Sequence, residues 1–309
     1  MKKLSFYHLL DASQIKESDI EQLIALAEKY RSQGHKKSFN DGDCKGLILA
    51  SLFFESSTRT RLSFESAMQR LGGETITLEH GDASSLKKGE TLSDTGRMIS
   101  NYADFIVMRH PDTGSVAELS EYATVPVINA GDGANQHPTQ ALVDIYTIFC
   151  EKKRLNNLKI GVLGDLKNGR TVHSLLTLMS RNSGNQFTLI SHPSLALDQE
   201  KKDSLRVHGC KVEEATDLES AIKDLDILYV TRTQQERFSD AAEYEKVKNS
   251  YRLDKKVLTK AREDMIIMHP LPRTNEIAAE VDSLPQAKYF TQASYAIYIR
   301  MALLTLMKE

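Results

Sequence analysis

Apolar runs that break off into polar loops recur along this chain. Leu47 to Phe54 is nearly unbroken apolar, which predicts a strand buried on both faces. It gives way to Glu55, Ser56, Ser57, Thr58, Arg59, Thr60 and Arg61. Beyond these, Phe64, Ala67, Met68 and Leu71 recur at helical spacing, and Gly72-Gly73 ends the helix. ETITL (74–78) alternates as a short strand. DFIVMRHP (104–111) and Val125 to Ile128 read as strands again, the latter followed by a loop at Gly131 and Gly133 and by Pro138 at a first helical position. After residue 157 the plan repeats in LKIGVLG, FTLISHP, DILYVTRT and MIIMHP, with helical stretches between. Ser18 to Gly34 reads as a helix opened by a Ser18/Glu21 capping box, with Ile20, Leu23, Ile24 and Ala27 on one face. Ala293 to Met307 reads as a closing helix.

Strands alternating with helices predict an α/β fold: two doubly wound domains with mainly parallel sheets, joined by long helices. The charged stretch EKKRLNN (151–157) after a long helix puts the boundary near 150, giving domains 1–150 and 151–291. The C-terminal helix, about 292–309, packs back on the first domain in this reading, since chain ends often lie close together.

Open parallel sheets bind ligands outside the carboxyl ends of their strands, so the polar loops matter. Ser57, Thr58, Arg59 and Thr60 stand where a buried strand feeds a helix N-terminus. Unpaired N–H groups and a positive helix dipole there favour an anion, and hydroxyls and a guanidinium add donors of phosphate geometry. A Ser/Thr-rich turn is by itself most often a simple cap; two arginines in it shift the balance. Arg109 ends another strand, and His137 and Gln140 open the helix at Pro138. Later strands end near His192, Arg232 and Gln234, and His269 and Arg273, while Arg170 opens a helix suited to a carboxylate. Each arginine alone is commonly a surface ion pair; their recurrence at strand ends argues for a site. Pro270 and Pro272 stiffen the loop at Leu271, fixing carbonyls that can accept from an amino group. EHGDASSLKKGET (79–91), with Ser84, Ser85, Lys87 and Lys88, reads as either a solvated turn or a basic lid over an anion.

Composition narrows the function classes. The 309 residues are 40% hydrophobic and 27% charged with net charge −2, which favours neither nucleic acid nor membrane as partner. No apolar stretch reaches the ~20 residues of a membrane span. Cys44, Cys150 and Cys210 are far apart and read as reduced cytoplasmic thiols. No metal is expected, for histidines do not cluster with acids or cysteines. Gly161, Gly164 and Gly169 do not make GxGxxG, and Asp165 is unsuited to a pyrophosphate, so no dinucleotide cofactor is expected. No P-loop lysine, Ser–His–Asp arrangement or carboxylate pair is evident. What remains is anion positioning and charge stabilisation without a covalent intermediate.

FESSTRTR is similar to the S-T-R-T-R phosphate signature of the aspartate and ornithine carbamoyltransferases. KKGET, MRHP, NQHPTQ, GDLKNGRTVHSL, TRTQQER and HPLPR follow in that family's order over essentially the whole chain. HPLPR resembles the members that use aspartate, whereas ornithine enzymes usually carry cysteine after the histidine. Many relatives have Asn-Gly where this chain has Tyr295-Ala296. The resemblance implies carbamoyl transfer from carbamoyl phosphate to the α-amine of L-aspartate, a step of pyrimidine biosynthesis, without cofactor. Another acceptor such as ornithine, or a non-catalytic carbamoyl-phosphate scaffold, is the alternative.

By resemblance, Ser57, Thr58, Arg59 and Thr60 bind the phosphate. Thr60, Arg109 and His137 polarise the carbonyl, Gln140 holds the carbamoyl amide, and backbone groups of Leu271 and Pro272 contact its nitrogen. Arg170, Arg232 and Gln234 bind the aspartate carboxylates. Lys88, with Ser84 or Ser85, reaches a neighbouring chain's site, implying a cytoplasmic homotrimer with shared active sites. A separate regulatory chain is a partner the resemblance leaves open.

Overall fold

A computed structural model describes residues 3–34, 42–79, 89–233, 238, 240–248 and 250–308. The chain forms two compact units, Met1–Tyr146 with Tyr295–Glu309, and Thr147–Ser294.

In the first unit, α1 (Glu17–Gln33) precedes β1 (Ile48–Phe53), α2 (Thr58–Arg70), β2 (Glu74–Glu79), α3 (Leu92–Ile99), β3 (Phe105–His110), α4 (Ser115–Ser120), β4 (Val127–Asp132) and the start of α5 (Pro138–Lys152). The strands make one parallel sheet in the order β2-β1-β3-β4. Parallel strands covered on both faces are near-continuous apolar runs, and β1 and β3 fit: Leu49 to Phe53 and Phe105 to Arg109 are all buried, with only Ser51 and Arg109 polar among them. β2, at the sheet edge, is largely exposed instead, Ile76 included. Ala50, Leu52, Ile106, Met108, Val116 and Leu119 make up much of one core cluster.

The second unit continues with β5 (Lys159–Leu163), α6 (Arg170–Met179), β6 (Gln186–Ile190), α7 (Gln199–Val207), β7 (Lys211–Ala215), α8 (Leu218–Ala221), β8 (Ile227–Val230), α9 (Ala241–Val247), α10 (Lys255–Leu258), β9 (Ile266–Met268) and the first turns of α11 (Tyr289–Met307). Its sheet is also parallel, in the order β7-β6-β5-β8-β9. Leu163, Ile190, Leu228, Val230 and Ile267 form one face of its core against Leu218, Ile222 and Leu225. The end of α11 belongs to the first unit, where Thr305 shares a 2.8 Å hydrogen bond with Tyr30 of α1.

Three local expectations need correction. α1 is not capped by Ser18: it starts at Glu17, and Asp19 accepts from the Lys16 N–H at 2.9 Å while also accepting from the Ser5 N–H at 3.0 Å. A tertiary partner thus selected the cap. β4 begins two residues later than Val125 and runs through Gly131 to Asp132; Asn129 Oδ1 accepts from the Gly131 N–H at 2.7 Å, a local bond that holds the glycine at φ 117 inside the strand. α11 starts at Tyr289 rather than Ala293. Among the described residues no helix is long and apolar enough to cross a membrane.

Candidate active site

Strand order fixes where a ligand can lie. From β1 the chain moves to β2 on one side, then crosses back to β3 on the other. The loops after β1 and β3 therefore part at the carboxyl edge and leave a crevice, the topological switch point of an open sheet. The loop after β1 carries Ser57, Thr58, Arg59 and Thr60, and Arg109 lies in β3 directly beside Phe53. The Phe54 N–H donates to the Arg109 carbonyl at 2.9 Å, tying both loops at their roots. β4 adds the third loop on the same edge, which delivers His137 and Gln140 to the mouth of α5.

Ser57 is the N-cap of α2, yet its side chain makes no capping bond, so the first N–H groups of this helix keep their donor capacity. Thr58 and Arg59 are exposed, whereas Thr60 is buried. Arg61 is engaged elsewhere, for it pairs with Glu79 and lies 3.8 Å from Glu65. Arg109 is 9% exposed, and its Nη2 donates to Glu55 at 2.9 Å. His137 is buried, with Nδ1 3.4 Å from the Thr139 hydroxyl. The Gln140 amide nitrogen donates to Asp144 at 2.7 Å. A carboxylate only accepts, so this bond turns the amide oxygen of Gln140 away from Asp144, where it can accept from another N–H.

The second unit has its own switch point. From β5 the chain builds β6 and β7 on one side, then returns to β8 on the other. Arg170 opens α6 after β5, and Arg232 follows β8, the strand paired with β5. The two turns approach very closely. The Asp165 N–H donates to Thr231 Oγ1 at 3.2 Å, and a side chain at Gly164, which has φ 118, would meet the Thr231 carbonyl at 2.3 Å. Only glycine fits there. Asp165, which argued against a pyrophosphate, accepts from the Asn168 N–H at 3.0 Å and so shapes the turn ahead of Arg170. Arg170 is 8% exposed; Arg232 is half-buried.

Leu271 and Pro272 follow β9, the next strand along. Leu271 has left-handed backbone (φ 53). Its N–H donates to His269 Nδ1 at 2.7 Å, so the imidazole proton sits on Nε2, which donates to Glu276 at 2.8 Å. The His269 N–H in turn donates to Gln292 at 2.9 Å. Burial alone would raise the Glu276 carboxyl, but the hydrogen bond from His269, with bonds from Thr274, holds it down at about 2. Arg273 is committed to Asp282 and Tyr289 and serves this loop.

Each sheet thus gathers its candidates on one carboxyl edge: Ser57 to Thr60, Arg109, His137 and Gln140 in the first, Arg170, Arg232, Leu271 and Pro272 in the second. Lys88, Ser84, Ser85 and Gln234 lie outside the described residues. Glu55, Asp144, His269 and Glu276 were not singled out as site residues from sequence. Asp144 had a signal, four residues beyond Gln140 on one helix face. Among the described residues no group of three or more His, Cys, Asp or Glu is arranged to hold a metal ion.

The class defined by this fold and edge chemistry is a two-unit α/β protein with cationic and N–H donors at a switch point in each unit. Comparison with known proteins agrees. The carbamoyl-P binding domain of the aspartate/ornithine carbamoyltransferases matches residues 7–149, and the Asp/Orn binding domain of the same family matches residues 156–307. The chain belongs to the aspartate/ornithine carbamoyltransferase family. It is 50% identical over 297 residues to the aspartate carbamoyltransferase catalytic subunit of Clostridium kluyveri, covering 96% of each chain. Among solved structures, it is similar to the catalytic subunit of M. jannaschii aspartate transcarbamoylase (TM-score 0.89, 47% identity, 97% of each chain). It is also similar to the Trypanosoma cruzi aspartate transcarbamoylase in complex with N-(phosphonacetyl)-L-aspartic acid (TM-score 0.90, 39% identity, 96% of this chain and 94% of that one).

Proposed function

We propose that this chain is an enzyme that transfers the carbamoyl group of carbamoyl phosphate to the α-amine of L-aspartate, giving N-carbamoyl-L-aspartate and phosphate. The observation that carries the reading is the first switch point: an uncapped helix N-terminus bearing Ser57, Thr58, Arg59 and Thr60, beside a strand that carries Arg109 next to its end. The names of the similar proteins support aspartate as acceptor, and the second-unit arginines are suited to a diacid.

In this mechanism the α2 N–H groups with Ser57, Thr58 and Arg59 hold the phosphate. Thr60, Arg109 and His137 donate to the carbonyl oxygen as negative charge builds on it. Glu55 must share or release Arg109 for this. The outward oxygen of Gln140 accepts from the carbamoyl NH2, fixing the plane of the group under attack. Arg170, Arg232 and Gln234 hold the two carboxylates of aspartate, and the backbone carbonyl at Leu271, with Pro272, orients the carbamoyl nitrogen. The neutral α-amine forms its N–C bond to the carbonyl carbon, and the C–O bond to phosphate breaks. The departing phosphate takes the extra proton of the amine, so no protein base is required. We infer a homotrimer in which Lys88 of a neighbouring chain completes each site. The designation of the relatives as catalytic subunits supports a further regulatory chain, and three buried cysteines far apart in sequence support a reducing, cytoplasmic setting.

Steady-state assay of the purified chain with carbamoyl phosphate and either aspartate or ornithine tests this. Phosphate release dependent on aspartate is expected. Turnover with ornithine and none with aspartate would overturn the reading.

A further inference from the structure

Arg300 lies in the middle of α11, in the run AIYIRMALL, with Ile299 and Met301 buried on either side. It is 3% exposed. Buried guanidinium groups normally face a carboxylate, because an uncompensated charge in a low-dielectric interior is expensive. Among the described residues Arg300 has no such partner. Its Nη1 donates to the Thr60 backbone carbonyl at 3.3 Å, its guanidinium stacks on the Phe64 ring at 4.5 Å, and its Nε has no hydrogen-bond partner. Both contacts fall on the first turns of α2, the helix whose N-terminus forms the anion site. Burial pulls its pKa down to about 9, so the group is still charged at neutral pH.

Packing does not account for an arginine here. Methionine has nearly the same length, would fill the same space against Phe64, and would remove the desolvation cost. A position selected for stability alone would carry an apolar side chain like those around it.

We propose that Arg300 is a positioning residue for the phosphate end of the reaction: its buried charge is balanced when an anion occupies the α2 N-terminus, and its bond to Thr60 fixes the turn that presents the Thr60 side chain. The inference rests on the functional reading above and adds a residue to it that does not itself touch substrate. In a low-dielectric surrounding, a charge one helical turn behind the donors attracts a phosphate dianion far more than an exposed lysine would, and salt does little to screen it. The Ser63 hydroxyl also donates to the Thr60 carbonyl at 2.9 Å, so loss of charge and loss of position can be separated.

The test compares the full-length wild type with Arg300→Met, Arg300→Gln and Arg300→Lys. Inorganic phosphate and carbamoyl phosphate are titrated calorimetrically, and melting temperature is recorded without ligand. Arg300→Met is expected to melt at or above the wild-type temperature yet bind both anions about tenfold more weakly. Arg300→Gln, which can keep a bond to Thr60 without the charge, should also lose affinity, while Arg300→Lys should stay within about threefold of wild type. Should the methionine protein fail to fold, the glutamine and lysine pair decides alone. Wild-type affinity in Arg300→Gln or Arg300→Met overturns the proposal, as does weaker binding that tracks a lower unliganded melting temperature in every variant. A wild type that binds neither anion refutes the functional reading instead, a result distinct from either.

Discussion

The two switch points solve related problems with different materials. In the first unit the donors are largely backbone: the N–H groups of α2, with Thr58 and Arg59 exposed at its mouth. Acids hold the side chains behind them, Glu55 on Arg109 and Asp144 on Gln140. In the second unit the candidate donors are two arginines, on turns pressed together at Gly164 and Thr231, beside a leucine turn clamped by His269, Glu276 and Gln292. Phosphate has oxygens pointing in several directions and suits a ring of N–H groups; carboxylates are planar and suit guanidinium forks. Under the proposed function, tight anion capture falls to the first half and choice of acceptor to the second.

Arg59→Ala should break the first half most severely. It removes a donor that no neighbour replaces in this assignment, since Arg61 is tied to Glu79 and Glu65. A fall in kcat of about 10²-fold or more is expected, by analogy with loss of a single transition-state donor, measured as phosphate release at saturating substrates. Near-normal kcat would mean that the α2 mouth is not the reaction centre.

Arg232→Ala should sharpen the division of labour. The KM for aspartate is expected to rise at least about tenfold, whereas the affinity for carbamoyl phosphate, titrated directly, should change little. Equal losses for both ligands would mean that the two halves do not bind separate substrates.

The fold was legible because strands buried on both faces announce themselves as unbroken apolar runs, as in β1 and β3. Much of the candidate site was legible for a related reason: a helix N-terminus gathers consecutive residues, so Ser57 to Thr60 appear as one motif. What stayed hidden was tertiary. Glu55 meets Arg109 across 54 positions of sequence, and Arg300 meets Thr60 across 240. The only trace of Arg300 was a lone charge in an apolar helix. The cap of α1 was misread because Asp19 is fixed by Ser5, a partner local rules do not see. Gly131 was read as loop because glycine usually ends a strand, yet the Asn129 side chain holds it within β4.

The smallest effect concerns the clamp in the second half, and it is a matter of pH. Glu276 has its carboxyl at about 2 in the folded protein against an ordinary 4.5, although burial works in the opposite direction. The unfolded chain therefore binds the proton first as pH falls. The stability this carboxylate contributes is complete above about pH 4.5 and drains away as pH drops toward 2. Urea midpoints measured from pH 6 to pH 3 should fall in the wild type. In Glu276→Gln they should start lower at pH 6 and decline less steeply, because the amide has no proton to gain while His269 loses its carboxylate partner. The first unit offers a control within the same molecule: Glu55→Gln, which touches Arg109 and not the clamp, should leave the slope closer to wild type. If Glu276→Gln instead follows the wild-type slope down to pH 3, the His269–Glu276 pair is not what holds the Leu271 turn, and the rigidity assigned to the second half must come from the prolines alone.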